Sequence, residues 1–403
     1  MKNNIIYLFG SVVGAGIPFL FLPILTRVLT PEEYGVMNLL FTIYSICVPL
    51  VSIGLSNYLH RVYFDNNSLS HSTFLKCIKV FCIWALFLCA LTFIVVGIFV
   101  DSMFNAYAFI VPLLVLSAAF NSVFMIRLSL YNAQDKAICF IKYQLLYTSV
   151  IFVTTLFLLF VLNLAELSRI YGIIFADIIF SIVSMVLIYK ILDKSLPNKE
   201  NVESDYLKYG FGLVPHIIAS ILLSSLDKFI IAKYMSMDDL STYVIAVQYT
   251  SILMIVAQGL SKEWTRFFMS NPYDKTINKK AGNLFLSIAT LSIVLYLCKD
   301  IFYGLFIGGA FIINNEVVQL LIASQLFHCF YMILTVQISY DKKTHILSMM
   351  TLISLVINFI VSMLLVKSYG LIGVGIGTLA GMGVKFFLTL YYVLNKRIFG
   401  VTQ

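Results

Sequence analysis

Apolar stretches long enough to cross a bilayer recur along almost the whole chain, and this repetition constrains the fold more than any other feature. They fall at roughly 5–29, 35–57, 77–100, 105–131, 141–163, 169–191, 207–235, 240–261, 281–299, 316–340, 346–366 and 369–394. A helix needs about 20 apolar residues to span the hydrocarbon core. Inside lipid, backbone N–H and C=O groups must be satisfied within the segment, so these stretches are expected to be helices and not strands. Charged residues make up only 11% of the chain, against about a quarter in a soluble domain. The expected fold class is therefore an all-α polytopic membrane protein with about 12 transmembrane helices. Met1-Lys2 runs directly into a long span with no small-residue cleavage site, so no signal peptide is expected.

The 27 lysines and arginines orient the spans. With the N-terminus inside, nineteen fall in inner loops and span ends and five outside (Arg27, Arg169, Lys233, Lys299, Lys367). Arg127, Lys228 and Lys385 fall within spans. Positive charge concentrates on the cytoplasmic side, so both termini are expected there. The net charge of +8 is then a topology signal. A nucleic-acid partner would need a soluble basic face, and none is expected.

One loop has real polar length, Asp193 to Asp205, and it divides the chain into expected lobes at 1–197 and 198–403, each of six spans. A short element repeats across that divide. Arg27-Val-Leu-Thr30-Pro31-Glu32-Glu33 and Lys233-Tyr-Met-Ser236-Met237-Asp238-Asp239 are offset by 206 residues. Each places a cation, a Ser/Thr N-cap and two acids at a helix start, where the helix dipole favours negative charge. Pro31 suits the first helical position, and Met237 and Ser241 stand where the first copy has Pro31 and Gly35. An internal twofold repeat in a membrane protein points to a transporter-like architecture.

Several features read as packing. Glycines four apart (Gly373, Gly377, Gly381) let helices approach closely in lipid. Gly373-Val-Gly375-Ile-Gly377 does not match the dinucleotide fingerprint and follows no strand. Seven cysteines without a C-x-x-C pair suggest neither a disulfide framework nor a metal site. His60, His216 and His328 are unpatterned and are expected to pack or hydrogen-bond rather than to act as ligands. The segment Gly304 to Asn315 is expected to lie along the interface or to extend span ten. No ATP-binding, serine-hydrolase or zinc motif is present, so no enzyme, cofactor or metal is expected.

Charges inside spans are costly and mark functional sites by default. Arg127, Asp177, Asp227, Lys228 and Lys385 lie within spans, and Arg27, Arg61, Lys233, Lys262, Glu263 and Arg266 lie at span ends. For the second group, snorkelling to headgroups is an equal reading. The excess of cations suits phosphate or pyrophosphate. Asp177, Asp227 and Glu263 would then orient cations or bind a coupling proton or Na⁺, and the residues leave both roles open.

The segment Leu22-Pro-Ile-Leu-Thr-Arg27-Val-Leu-Thr-Pro-Glu-Glu-Tyr-Gly35 resembles the first-span signature of the polysaccharide biosynthesis (Wzx-type, O-antigen) flippases. These belong to the multidrug/oligosaccharidyl-lipid/polysaccharide (MOP) exporter superfamily. Gly54-Leu-Ser56 with Arg61-Val-Tyr-Phe64 is similar to the family's second-span end, and Leu223-Ser-Ser-Leu-Asp227-Lys228-Phe-Ile-Ile231 to its seventh span. The resemblance implies two pseudo-symmetric six-helix lobes in a bacterial inner membrane. It also implies flipping of an undecaprenyl-pyrophosphate-linked oligosaccharide, an O-antigen or capsule unit, to the periplasmic leaflet by alternating access. Arg27, Arg61 and Lys228 would contact the anion, joined by Arg127 and Lys385 from the charge reading. Lys233 and Arg266 complete the cavity cations, with Arg27 and Lys233 paired at the periplasmic mouth. Proton, Na⁺ or substrate gradients are the candidate driving forces. The bilayer, a polysaccharide polymerase and chain-length regulator proteins are the implied partners. A drug or cation exporter of the superfamily and a membrane polymerase or acyltransferase are the alternatives. The first would favour an acidic cavity, and a polymerase would carry a large outer loop.

Overall fold

The computed structural model describes residues 19, 21–66, 68–99, 107, 109–193, 202–272, 274, 276–341 and 343–398. Helix dominates it. Residues 21–28 form α1. They are followed by α2 (Pro31–Ser52), α3 (Leu55–Asn66), α4 (His71–Phe99), α5 (Ile110–Ala133), α6 (Ala137–Phe160) and α7 (Ser168–Tyr189). Beyond these lie α8 (Val202–Tyr234), α9 (Met237–Ser270), α10 (Ile277–Phe306), α11 (Asn315–Tyr340) and α12 (Thr344–Ile398). Two residues each of β1 (Leu69–Ser70) and β2 (Leu192–Asp193) pair in parallel. Ten helices among the described residues are long and apolar enough to cross a membrane, with α12 counted once.

The eleventh and twelfth spans are realised as the two arms of α12, which meet at a break at Gly370, where φ is +55° and ψ is −133°. Glycine adopts that region without the Cβ penalty other residues meet. The second span stops at Ser52 rather than 57, because Ile53 (φ 43°) and Gly54 (φ 65°) turn left-handed and start the separate helix α3. Of the segment Gly304 to Asn315, residues 304–306 close α10 and so extend span nine, residues 307–314 lie outside any helix, and Asn315 opens α11. The first span begins outside the described residues, and so does most of the polar divider, residues 194–201.

The described chain groups into two compact units, Leu40–Ile221 and Pro18–Leu39 with Leu222–Gln403. The boundaries fall inside α2 and α8. In the first unit the early part of α8 packs on its neighbours: the Tyr206 hydroxyl donates to the Ser52 carbonyl at 3.0 Å, and the Phe211 ring meets Trp84 edge-on. Its core is aromatic. Phe124, Leu128, Tyr143, Tyr147, Ala176 and Phe180 from α5, α6 and α7 are all buried together. Phe124 stacks on Tyr147 with centroids 4.1 Å apart.

In the second unit the repeated cation–cap element is realised as a matched pair of capping boxes. The Thr30 N–H donates to the Glu33 carboxylate (2.8 Å) while the Glu33 N–H donates to the Thr30 hydroxyl (3.3 Å). Ser236 and Asp239 exchange the same two bonds at 3.2 and 3.1 Å. The 206-residue offset thus relates hydrogen bonds, not only letters. The two helix starts also meet, since a Cβ at Gly35 would collide with the Met237 carbonyl. The glycines at 373, 377 and 381 face Leu365, Ser362 and Asn358 of the preceding arm, which bears out packing as their role.

The end of α1 is fastened to the segment after α10. The Gly308 N–H donates to the Thr26 hydroxyl at 3.1 Å, which itself donates to the Leu22 carbonyl at 2.7 Å. A Cβ at Gly308 would overlap the Thr26 carbonyl. Gly308→Ala is therefore expected to cost about 1–3 kcal/mol, the range for overpacking a fitted site. Chemical denaturation in detergent checks this, and an unchanged midpoint would show that the fastening gives way freely.

Candidate functional site

The eleven charged candidates fall into two environments. Arg27, Arg61, Lys233, Lys262, Glu263 and Arg266 are exposed. Arg27 sits at the end of α1 and donates to the Pro23 and Leu305 carbonyls at 3.1 and 2.8 Å. Arg61 lies on α3 and pairs with Asp65 one turn later at 3.6 Å, with both side chains more than half exposed. Lys233 lies 5.5 Å from the neighbouring Tyr234 ring. Lys228 is half-buried, whereas Arg127, Asp177, Asp227 and Lys385 are buried.

Asp177 is the best-satisfied of the buried charges. Its Oδ1 accepts from Asn121 Nδ2 (2.9 Å) and the Tyr147 hydroxyl (2.8 Å). Its Oδ2 accepts from the Tyr44 hydroxyl (2.7 Å) and the Ser117 hydroxyl (2.6 Å). An ionised carboxylate has about four lone-pair sites, all used here. Ser117 and Asn121 are one turn apart on α5, so one helix face supplies half the donors. The others come from α2 and α6, so the carboxylate on α7 ties four helices together. The ring cluster below it excludes water, which strengthens each bond.

Asp227 on α8 is held more sparsely. It accepts from the Tyr243 hydroxyl of α9 at 2.6 Å and from the Lys228 N–H at 2.9 Å. The Tyr243 hydroxyl also lies 3.2 Å from that of Thr378 on α12.

The two buried candidate cations, Arg127 and Lys385, have no acidic partner among the described residues. The Arg127 guanidinium stacks 3.9 Å above the Tyr131 ring, one turn along α5, and its Nε and Nη1 have no hydrogen-bond acceptor. Lys385 on α12 is 3% exposed, with its ammonium 4.2 Å from the centre of the Tyr331 ring. The aromatic face offsets part of the desolvation of each cation, but supplies no acceptor. Nearby, His328 Nδ1 and Gln325 Oε1 are also buried and unpartnered.

His60 Nδ1 is bonded to the Ser129 carbonyl at 3.0 Å, and the His328 ring packs beside Tyr331 with centres 6.0 Å apart, while the His216 side chain lies outside the described residues. All seven cysteines are free, and no cluster of metal-ligating residues occurs among the described residues. Sequence reasoning found the buried charges Arg127, Asp177, Asp227 and Lys385 but not Arg169 and Lys299, which it placed at outer span ends and which are also buried. It missed the neutral partners Tyr44, Ser117, Asn121, Tyr147 and Tyr243. Only the one-turn spacing of Ser117 and Asn121 inside a span signalled them.

Many long apolar helices, a repeated helix-start element and buried charges within spans define a multi-pass membrane protein of the transporter class. The fold matches that of the lipid II flippase MurJ in an inward closed conformation with a TM-score of 0.75 and 16% identity. The match covers 98% of this chain and 87% of that one. A model of the polysaccharide biosynthesis protein family matches residues 1–262, and the chain belongs to that family. A protein of the Lsg locus of Haemophilus influenzae is 24% identical over 370 residues, 88% of each chain. A Haloferax volcanii protein named a probable low-salt glycan biosynthesis flippase, Agl15, is 21% identical over 206 residues. That alignment covers 49% of this chain and 43% of the relative.

Proposed function

We propose that this protein flips an undecaprenyl-pyrophosphate-linked oligosaccharide unit, of O-antigen or capsule type, from the cytoplasmic to the periplasmic leaflet of the bacterial inner membrane. The observation that carries this reading is Arg127: a buried guanidinium with no acid and two unpartnered nitrogens. Such a group is a donor-only fork, and a phosphate is an acceptor-only ligand that fits it. The family and the flippase-like fold supply the context.

In this reading two six-helix lobes, 1–197 and 198–403, alternate access to a central substrate path, with both termini cytoplasmic. Arg27 and Lys233 mark the periplasmic end, and Lys228 and Arg266 help draw the anion in. Asp177, Asp227 and Glu263 are the candidates for coupling to a proton or Na⁺, and a polymerase and chain-length regulators receive the product. Deleting the gene is expected to leave lipid-linked single repeat units facing the cytoplasm, unreachable by a lectin added to intact spheroplasts. Single units already reachable from outside would point to a polymerase instead and end this reading.

A further inference from the structure

A second group of buried polar atoms has a different donor–acceptor balance from Arg127. On α11, Gln325, His328 and Tyr331 succeed one another at three-residue intervals, so each neighbours the next along the helix surface. Tyr331 lies under the Lys385 ammonium, and the His328 ring centre is 6.0 Å from the Tyr331 ring. The group therefore presents one cation, one unpartnered imidazole nitrogen and one unpartnered amide oxygen within a single unit of the fold.

Each unsatisfied buried polar atom destabilises the fold unless a ligand atom pairs with it. A pyrophosphate diester can serve Lys385, but it has only acceptor oxygens. It would leave Gln325 Oε1, itself an acceptor, unpaired. The missing ligand must bring an anion and hydroxyl donors together, on a small scaffold.

Resting on the flippase reading, we infer that Lys385, His328 and Gln325 form a subsite for a carboxylate-bearing sugar of the glycan, separate from the pyrophosphate contact at Arg127. The carboxylate accepts from Lys385. One ring hydroxyl donates to Gln325 Oε1, and another pairs with His328 Nδ1 in whichever sense its tautomer requires. The subsite thus selects acidic glycans over neutral ones of equal size.

The test uses the full chain in proteoliposomes with two undecaprenyl-pyrophosphate disaccharides that differ only in a glucuronate or a glucose. The wild type is expected to translocate the glucuronate lipid at least tenfold faster. Lys385→Gln and Gln325→Leu are each expected to shrink that ratio toward one, while Arg127→Ala slows both lipids and keeps it. Thermal unfolding in nanodiscs gives an independent reading. Methyl glucuronide should raise the midpoint of the wild type and not of Lys385→Gln, and methyl glucoside should raise neither. Equal rates for the two lipids in the wild type would overturn the subsite while the flippase reading stands. So would a midpoint shift with inorganic pyrophosphate, but not methyl glucuronide, that disappears in Lys385→Gln. If neither lipid moves, the flippase reading fails and the glucuronide shift alone decides whether the subsite binds acidic sugars.

Discussion

Arg127→Ala is expected to abolish or reduce surface glycan by tenfold or more at normal protein levels, with Arg127→Lys restoring part of it. The guanidinium is buried and lacks an acid or any acceptor at Nε and Nη1, so its removal breaks no described bond that would unfold the helix bundle. What is lost is a charge-assisted contact to an anion, worth about 1.5–3 kcal/mol. Lys keeps the charge but not the planar fork, which is why rescue is partial. Arg61→Ala is the natural control. That side chain is exposed and paired with Asp65, and an exposed pair contributes about 0–1 kcal/mol. Its loss should leave display near the wild-type level. Quantifying surface polysaccharide against membrane protein content separates the two arginines. Equal effects would mean that burial does not identify the working cation.

At Asp177 the expected result splits by substitution. Asp177→Leu strands four buried donors on three helices and should cost about 3–5 kcal/mol, the scale for breaking a buried network. Asp177→Asn is gentler. Its amide nitrogen can occupy the Oδ2 position, where Tyr44 and Ser117 hydroxyls can rotate to accept, while its oxygen keeps Asn121 and Tyr147. A cost of about 1 kcal/mol follows. Transport adds a second readout. If Asp177 couples an ion, Asp177→Asn should fold and yet lose dependence on the ion gradient. Normal gradient dependence in a folded Asp177→Asn variant would assign the residue to architecture alone. Denaturation midpoints and gradient-driven transport, measured on the same preparations, decide between the roles.

Much of this was legible before any coordinates, for definite physical reasons. Lipid forces backbone bonds inside each segment, so hydropathy located the helices, and charge inside a span flagged Arg127, Asp177, Asp227 and Lys385. The capping boxes were also readable, because Thr30–Glu33 and Ser236–Asp239 act locally. What escaped was decided by single backbone angles and by distant partners. The break at Ile53 and Gly54 leaves no hydropathy signature, so hydropathy runs the start of α3 into span two. The family resemblance names Arg61 a cavity cation, and on the separate α3 its side chain is exposed. The neutral partners of Asp177 lie 30 to 133 residues away in sequence, beyond the reach of any local pattern.

The most direct measurement is translocation by the purified protein in sealed proteoliposomes containing an undecaprenyl-pyrophosphate-linked oligosaccharide. The glycan is followed by its access to a membrane-impermeant glycosidase. Wild-type protein is expected to expose inner-leaflet lipid within minutes, and Arg127→Ala protein at the same density to expose it at least tenfold more slowly. Exposure no faster than in protein-free vesicles, under every ion gradient tried, would contradict the account.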